Sequence, residues 1–590
     1  MGHTMTATAP RPAWHLRQQD PTLLDRLATR CGISKVAAAV LANRQLTDLD
    51  AVKHLLNPSL HQLRDPLLLP DMRAAVERIQ QAIARAETIL IHGDYDVDGV
   101  TGTTILVKAL SFMGAKVRWH IPDRHKDGYA FGPHSLEKVR ETGATLVVSV
   151  DSGTSAHEWI EKLSGMGVDV VVTDHHEPKE GPLPRCVAIV NAKRADSTYP
   201  FRELCGGGVA FKLAWALATA HSGGERASEQ WRQLLMEFIG YAAIATVCDV
   251  VPMRDENRVI AHYGLQQLRK TDTPGMRALM AVCDLPEGRV STTTIGFQIG
   301  PRINAAGRLA NARIAVELFL ATEAAEAQRL AAQVNVLNIQ RKDLERVIAD
   351  EAAKQAERWH DARHHPVLVL ASETWDPGVV GIVAGRMVAR TGRPAIVLGI
   401  KDGLAKGSAR TVHSLDLMQV MKAGDGLYTT WGGHAMAAGC TLPAAHVDEL
   451  RARLVARTRE LLNGQAPPPR RLEADYELPL ALYGDVLMNE LERLEPWGQD
   501  FREPVFLTRD LRVADAPYIM GKDRKHFSLR FRSGDTVVKA KAFNMAERVQ
   551  ELTPGTPIHV LWKPDRNTFR GITANEMTIE DFAVGEAPLV

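Results

Sequence analysis

Cysteine is scarce: Cys31, Cys186, Cys205, Cys248, Cys283 and Cys440 are scattered over 590 residues with no C-x-x-C pair. That spacing excludes a zinc knuckle and a disulfide framework, and it suits a reducing cytosol. An excess of charge of one sign is also missing. With 71 Lys and Arg against 70 Asp and Glu the formal charge is +1, which excludes a uniformly basic nucleic-acid coat and leaves that role to a local patch. Long apolar runs are lacking too. The best membrane candidate, residues 238–248, is eleven residues between Glu237 and Asp249, well short of the roughly 20 needed to span a bilayer. Residues 1–17 lack an apolar core of signal-peptide length, so neither export nor membrane association is expected, and a cytoplasmic location is.

What remains is an ordinary globular composition, 45% hydrophobic and 24% charged, in a chain too long for one core. Three or four domains are expected. Residues 1–75 read as an N-terminal extension of short helical pieces. From Ala86 apolar runs at 88–91, 117–121, 145–150 and 168–173 alternate with amphipathic stretches, the pattern of βα units around a mainly parallel sheet, and this domain is set at 76–311. The stretch 312–362 contains a long segment free of proline and glycine, with Leu330, Val334, Leu337, Leu344 and Ile348 at helical steps, and reads as a connector helix. A helix over 324–359 would be roughly 50 Å long at 1.5 Å per residue.

A second, smaller α/β domain is expected over 363–465, with strands at 367–370 and 395–398 around a helix at 378–390. Pro467, Pro468 and Pro469 mark a linker. Beyond it, in 466–590, Phe527, Leu529 and Phe531 alternate with Ser528, Arg530 and Arg532, which predicts a small β-barrel like the oligonucleotide-binding (OB) fold. The whole is α/β with a β-barrel at its C-terminal end.

The chemistry concentrates at strand ends. His92-Gly-Asp-Tyr-Asp-Val-Asp-Gly99 places Asp94, Asp96 and Asp98 at alternate positions directly after a buried strand, where three anions repel unless cations neutralise them. A calcium loop matches Asp94, Asp96, Asp98 and Gly99 but fails at Ile105, where a bidentate Glu is needed, and a helix rather than a strand should precede it. An acidic surface turn is the bland alternative. Asp151 ends the next buried strand, Asp174-His175-His176 the one after, and Asp249 follows the apolar run 239–247. This is an oxygen and imidazole donor set without thiolate, suited to Mn²⁺ or Mg²⁺, and two such ions support phosphoester hydrolysis.

These four motifs resemble the DHH phosphoesterase superfamily, the third motif being Asp174-His175-His176. The resemblance implies that Asp96 and Asp98 sit on different metals, that Asp151 bridges them, that His175 and Asp249 complete the second site, and that His92 belongs with the first. It leaves Asp94 between coordination and orientation, and His176 between contact with the scissile phosphate and proton transfer.

The superfamily also holds pyrophosphatases and small-nucleotide phosphodiesterases, so the substrate is read from the rest of the chain. Trp375-Asp-Pro-Gly-Val-Val-Gly-Ile-Val-Ala384, Gly407-Ser-Ala-Arg410 and Gly432-Gly-His-Ala-Met-Ala-Ala-Gly439 resemble the DHHA1 domain of the RecJ family of exonucleases. Ser408 and Arg410, two residues apart, suit the grip of a terminal phosphate, and the glycines around His434 let backbone approach one, with His434 as a catalytic candidate near the leaving or attacked group. Arg302, Asn304 and Arg308 in Gly300-Pro-Arg-Ile-Asn-Ala-Ala-Gly-Arg308 resemble a further RecJ signature, and Arg124 is a weaker DNA-binding candidate. Lys522, Arg524, Lys525, Arg530, Arg532, Lys539 and Lys541 stand against only Asp523 and Asp535, a basic patch in which Phe527 and Phe531 read as core and the cations as strand contacts. The segment from Glu495 to Phe506 resembles the RecJ pattern leading into the barrel.

The expected function is a processive 5′-to-3′ exonuclease on single-stranded DNA, using two divalent ions and releasing 5′-mononucleotides in recombination and repair. The family likeness also implies a monomer, with a single-strand-binding protein and recombination helicases as partners. The rivals are a phosphodiesterase for short oligonucleotides or cyclic dinucleotides and a non-catalytic DNA-binding scaffold.

Overall fold

The computed structural model describes residues 11–590 apart from 125, 129, 286–289, 413, 570 and 571. The signal-peptide reading over residues 1–10, and His125 and Tyr129 of the motif around Arg124, therefore lie outside the described residues. The chain forms two compact units: residues 46–339 with 491–503, and the segment ending at Gln45 with 340–490 and 504–590. Among the described residues no helix is long and apolar enough to cross a membrane.

The first unit is built on five parallel strands, β1 (Thr88–His92), β2 (Lys116–His120), β3 (Leu146–Val150), β4 (Asp169–Thr173) and β5 (Ala188–Val190), in the order β2-β1-β3-β4-β5. The central β3 is buried along its whole length, which is why Leu-Val-Val-Ser-Val reads as a continuous rather than an alternating apolar run. From β1 the chain crosses through helix α1 (Val97–Phe112) to β2 on one side, while β3 lies on the other. The switch point, where such sheets gather ligands, is therefore at the carboxyl ends of β1 and β3.

Helix α1 packs against α2 (Gly206–His221) through glycines: a β-carbon at Gly102 would come within 2.6 Å of Val150 and 3.3 Å of the Gly207 Cα. That close crossing sets the start of α2 beside the aspartates. α3 (Glu229–Cys248) completes the layer and ends at Asp249.

Lys212 of α2 and Glu256 form a fully buried ion pair, and Glu256 also accepts from the Tyr199 hydroxyl and the Arg64 backbone N–H. Lys212→Met leaves the buried Glu256 charge with only the more distant Arg64 guanidinium, 3.6 Å away, as its cation. The expected loss is about 3–5 kcal/mol, seen as a lower urea midpoint for this unit with the barrel's transition unmoved.

The long helix α4 (Ala324–Ala356) is present, preceded by a separate helix, Arg313–Leu320. Leu330, Val334 and Ile348 are buried as expected, whereas Leu344 is exposed. In the second unit, β6 (Leu368–Ser372) lies parallel to β7 (Ala395–Lys401), with α5 (Val380–Thr391) between them in sequence. β8 (Leu404–Arg410), β9 (Thr430–His434) and β10 (Ala437–Pro443) extend the sheet antiparallel, in the order β9-β10-β8-β7-β6.

The barrel consists of β11 (Phe506–Val513), β12 (His526–Ser533), β13 (Thr536–Ala542), β14 (Pro557–Phe569) and β15 (Ile572–Val584). The pairings β11-β14-β15-β13-β12 return to β11 through Arg512 and Arg532, and β13 and β15 run parallel. That closed five-stranded connectivity is the OB fold. Phe527 and Phe531 fill its core with Phe506 and Phe582.

One expectation is corrected. The N-terminal segment is not helical throughout: Ala13–Leu16 is a strand paired in parallel with Arg471–Ala474. The segment 491–503 leads into the barrel in sequence and packs with the first unit. Arg258 holds it by donating to the carbonyls of Leu494, Glu495 and Pro496 at 2.8–3.0 Å, and its guanidinium lies 4.8 Å from the Phe501 ring centroid.

Candidate metal centre

Four connections at the carboxyl edge of the parallel sheet supply the acidic groups. Asp94, Asp96 and Asp98 follow β1, Asp151 follows β3, His175 and His176 follow β4, and Asp249 caps α3. Asp96 is the N-cap of α1, one oxygen accepting from the backbone N–H of Asp98 (2.9 Å) and Gly99 (3.1 Å). Asp98 is gripped by the start of α2: Gly206 N–H donates to Oδ2 at 2.7 Å and Gly207 N–H to Oδ1 at 2.5 Å. Asp151 sits at φ 61°, in the left-handed region that aspartate tolerates better than most residues.

Ligand atoms of Asp94, Asp96 and Asp151 lie within 4.8 Å of one another, as do those of Asp98, His175 and Asp249, and those of Asp151, His175 and His176. His175 Nε2 is 3.1 Å from Asp151 Oδ1 and 3.6 Å from both Asp98 Oδ2 and Asp249 Oδ2, yet neither of its ring nitrogens makes a hydrogen bond.

The electrostatics call for positive charge. Burial, with the neighbouring aspartates adding to it, holds Asp94 and Asp151 well above the usual carboxylate range; Asp98 is raised by burial and Asp96, and Asp249 by burial, Asp98 and Asp96 to about 8. Such a cluster ionises only against cations. Burial keeps the nearby thiols of Cys205 and Cys248 protonated, so the donors are oxygen and imidazole, the set that fits Mn²⁺ or Mg²⁺.

Asp174 serves differently. Its Oδ1 accepts from His175 N–H (2.7 Å), His176 N–H (3.1 Å) and His176 Nδ1 (2.8 Å), and its Oδ2 from Thr154 N–H (2.9 Å). Burial opposes its ionisation, but these bonds outweigh burial and bring it to about 2. His176 loses from burial and gains more from Asp174, reaching about 9, so the half-exposed ring keeps its proton at neutral pH.

His92, expected among the first metal's ligands, groups instead with His120 and His134. It pairs with His120 across β1 and β2, its Nε2 lies 3.0 Å from Ser135 Oγ, and its ring stacks on Phe131 at 4.5 Å. The chain turns at Gly93, so the strand-end histidine and the aspartate loop face different neighbours.

Arg124 lies 5.0 Å from the Tyr95 ring centroid and bears electrostatically on Asp94, and the Arg308 charge acts on the same tyrosine. Arg302, expected to meet DNA, donates to Asn335 Oδ1 (3.0 Å) and to the carbonyls of Gln298 (2.8 Å) and Val282 (2.9 Å), which turns its guanidinium inward. Asn304 is half-buried on the helix Gly300–Leu309.

In the second unit, Ser408 and Arg410 share one face of β8, beside Gly381 in the first turn of α5, where a β-carbon would come within 3.1 Å of Ser408 Oγ and 3.6 Å of Arg410 Nη2. Arg410 pairs with Ala437 and Ala437 with His434, so the arginine and the exposed histidine mark the same edge of three adjacent strands. On the barrel Lys522, Arg524, Lys525, Arg530 and Arg532 are exposed. Arg530 is bound by Asp515 (2.6 Å), while Lys539 and Lys541 both reach Glu576.

The residues that sequence reasoning missed are Asp174 as a positioning group and Gly206 and Gly207 as donors. The run Gly206-Gly207-Gly208 opening an apolar helix was the available signal for the second.

Models of three families match the chain: the DHH family N-terminal domain over residues 88–246, the DHHA1 domain over 364–460 and the RecJ OB domain over 474–581. The single-stranded-DNA-specific exonuclease RecJ of Bacillus subtilis is 35% identical over 98% of this chain and 72% of its own length; that of Dickeya dadantii is 34% identical over 98% of each. The crystal structure of RecJ in complex with Mn²⁺ from Thermus thermophilus is 28% identical and superposes with a TM-score of 0.81, covering 98% of this chain and 80% of that one. With the parallel sheet, the carboxylate centre and the closed barrel already in hand, these likenesses place the chain in the RecJ family.

Proposed function

We propose that the chain is a divalent-metal-dependent exonuclease that shortens single-stranded DNA from its 5′ end and releases 5′-mononucleotides, acting in recombination and repair. The observation that carries this reading is the convergence of Asp94, Asp96, Asp98, Asp151, His175 and Asp249 at the switch point of a parallel sheet, in a chain of the RecJ family.

Asp94, Asp96 and Asp151 would hold one ion and Asp98, His175 and Asp249 the other, and Asp151, whose Oδ1 lies 3.1 Å from His175 Nε2, would serve both. Bound ions supply neutralisation of the scissile phosphate and a nucleophilic water at neutral pH. The chain's own groups do the rest. Gly206 and Gly207 fix the Asp98 carboxylate, and Asp174 fixes the His176 ring so that its Nε2–H can meet the leaving oxygen. Arg124 and Arg308 bring positive charge to the aspartate loop, and Ser408, Arg410 and His434 bind the terminal phosphate. Lys522, Arg524, Lys525 and Arg532 follow the strand's backbone. Asn304 and Arg302 hold their helix in place, and His92 braces the end of β1.

Burial and mutual repulsion raise Asp94, Asp98, Asp151 and Asp249, so the metal-free cluster holds protons more tightly than free carboxylates do, and loading with cations expels those it holds. Calorimetric titration of chelated protein with Mn²⁺ at pH 7, in two buffers of different ionisation enthalpy, is expected to report net proton release. Apparent affinity should rise from pH 6 to pH 8.

DNA binding should weaken with salt. Replacing Lys522, Arg524 and Lys525 together by Ala removes three phosphate contacts and should lower the salt slope of single-strand binding by about 2, with cleavage of a dinucleotide unchanged.

The test of the whole reading uses single strands labelled at either end and a dinucleotide, with Mn²⁺ and after chelation. Immediate release of the 5′ label as a mononucleotide, with the 3′ label retained until late, supports it. Preference for the dinucleotide, or binding without cleavage in Mn²⁺, overturns it. The proposal extends to a cytoplasmic monomer that meets a single-strand-binding protein and recombination helicases, which sedimentation and pull-down with those purified proteins would check.

A further inference from the structure

We propose that His92, His120 and His134 form a third metal site, separate from the carboxylate centre, for a transition-metal ion of the zinc, cobalt or nickel class. One ring nitrogen of each lies within 4.8 Å of the others. Three elements converge to make this group: β1 and β2 end side by side on the paired His92 and His120, and the helix Pro133–Thr142 brings in His134 from its first turn. The ring centroids are 5.3, 5.2 and 5.6 Å apart, a near-equilateral triangle.

The hydrogen bonding leaves a donor to spare. His92 Nδ1 is buried and makes no hydrogen bond to another residue. A buried polar atom without such a partner is uncommon and needs a cause. His92 Nε2 lies 3.0 Å from Ser135 Oγ, the kind of support behind a ligating histidine that fixes its tautomer. His120 Nε2 and His134 Nδ1 share a hydrogen bond at 3.0 Å, and a small opening to ~3.3 Å would set both at about 2.0–2.1 Å from one tetrahedral zinc ion. The loop is shaped for the ring as well. A β-carbon at residue 132 would come within 2.9 Å of His134 Cδ2 and Nε2, so glycine there is what lets the imidazole fold back.

A purely packed histidine cluster is the competing explanation, since His92 stacks on Phe131. Stacking accounts for the position of the His92 ring but not for its buried Nδ1 without a partner residue. The nearby cation Lys138 is paired with Glu141 at 2.5 Å, which reduces its repulsion of an incoming ion. His120 and His134 are only partly buried, so the ion has access. Three imidazoles without carboxylate or thiolate select borderline transition metals over Mg²⁺, the opposite preference to the oxygen-rich centre. An ion here would tie the end of β1, two residues before Asp94, to β2 and the helix.

The test is a Co²⁺ titration of the full chain in excess Mg²⁺, which competes for the oxygen-rich site. The expected result is one equivalent of Co²⁺ bound with the visible absorption of a nitrogen-ligated, low-coordinate ion. His120→Ala and His134→Ala should each lose that band and weaken Co²⁺ binding by more than the roughly 10–100-fold that losing a partner behind a ligand costs. Manganese-dependent strand cleavage should be unchanged. If the alanine variants fold poorly, His134→Gln keeps a polar group of similar reach, and it too should lose the band. No Co²⁺ bound against Mg²⁺ in the parent chain, or a band kept at equal affinity in the variants, overturns the proposal.

Discussion

Asp151→Asn is expected to lower strand cleavage by a factor on the order of 10³ while changing the dissociation constant for a single strand by less than about threefold. The asymmetry follows from where the side chain stands. Its carboxylate belongs to two ligand groups, one with Asp94 and Asp96 and one with His175 and His176. The amide is nearly isosteric, so the φ of 61° and the backbone bond from Asp151 N–H to Thr173 O can be kept. What it lacks is the negative charge that a site of raised, mutually repelling carboxylates uses to gather cations. In the proposed reading, substrate affinity depends on arginines, lysines and backbone donors that the change leaves untouched. Quenched-flow cleavage of a 5′-labelled strand, with binding followed by anisotropy in Ca²⁺, separates the two quantities.

Gly206→Ala is expected to be nearly as damaging, although alanine is ordinarily a mild change in a helix. A β-carbon at Gly206 would lie 2.6–2.8 Å from Asp151 Cβ, Cγ and Oδ1, closer than non-bonded atoms approach. The Asp151 carboxylate or the α2 terminus must shift, and the bonds from Gly206 and Gly207 to Asp98 shift with it. The expected outcome is a loss of bound Mn²⁺, counted by electron paramagnetic resonance, and a fall in cleavage on the order of 10² with far-UV circular dichroism unchanged. Gly208→Ala is the internal control: its β-carbon would meet Cys205 Sγ at 3.5 Å, an ordinary contact. If the two alanines behave alike, the close approach at Gly206 is not what shapes the site.

The contrast between Asp151 and Gly206 also shows what a sequence discloses. Asp94, Asp96, Asp98, Asp151 and His175 were legible because each follows a buried parallel strand, and such strands read as unbroken apolar runs that point to the site. The barrel was legible through the alternation of Phe527, Leu529 and Phe531 with charged neighbours. Backbone donors carry no side-chain signature, so the grip of Gly206 and Gly207 on Asp98 was invisible beyond a run of glycines. Asp174 looked like one more strand-end carboxylate, and only its four hydrogen bonds show that both oxygens are committed to orienting the loop and His176.

His92 was assigned by its place in a motif, but its neighbours His120 and His134 come from other elements, and no spacing rule joins them. The strand Ala13–Leu16 is four residues long and pairs with Arg471–Ala474 near the other end of the chain, a contact that local periodicity cannot register. Arg302 and Arg308 belong to one motif, yet less than two helical turns separate an inward guanidinium bound to Asn335 from one whose charge acts on Tyr95.

The central claim is that one cluster of carboxylates and a histidine holds two ions that share Asp151. Anomalous diffraction at the manganese edge from crystals grown with Mn²⁺ tests it most directly. Two peaks roughly 3.5–4 Å apart, with the Asp151 carboxylate between them and Asp249 and His175 on one peak only, are the predicted result. A single peak, or two peaks neither of which touches Asp151, would contradict the account.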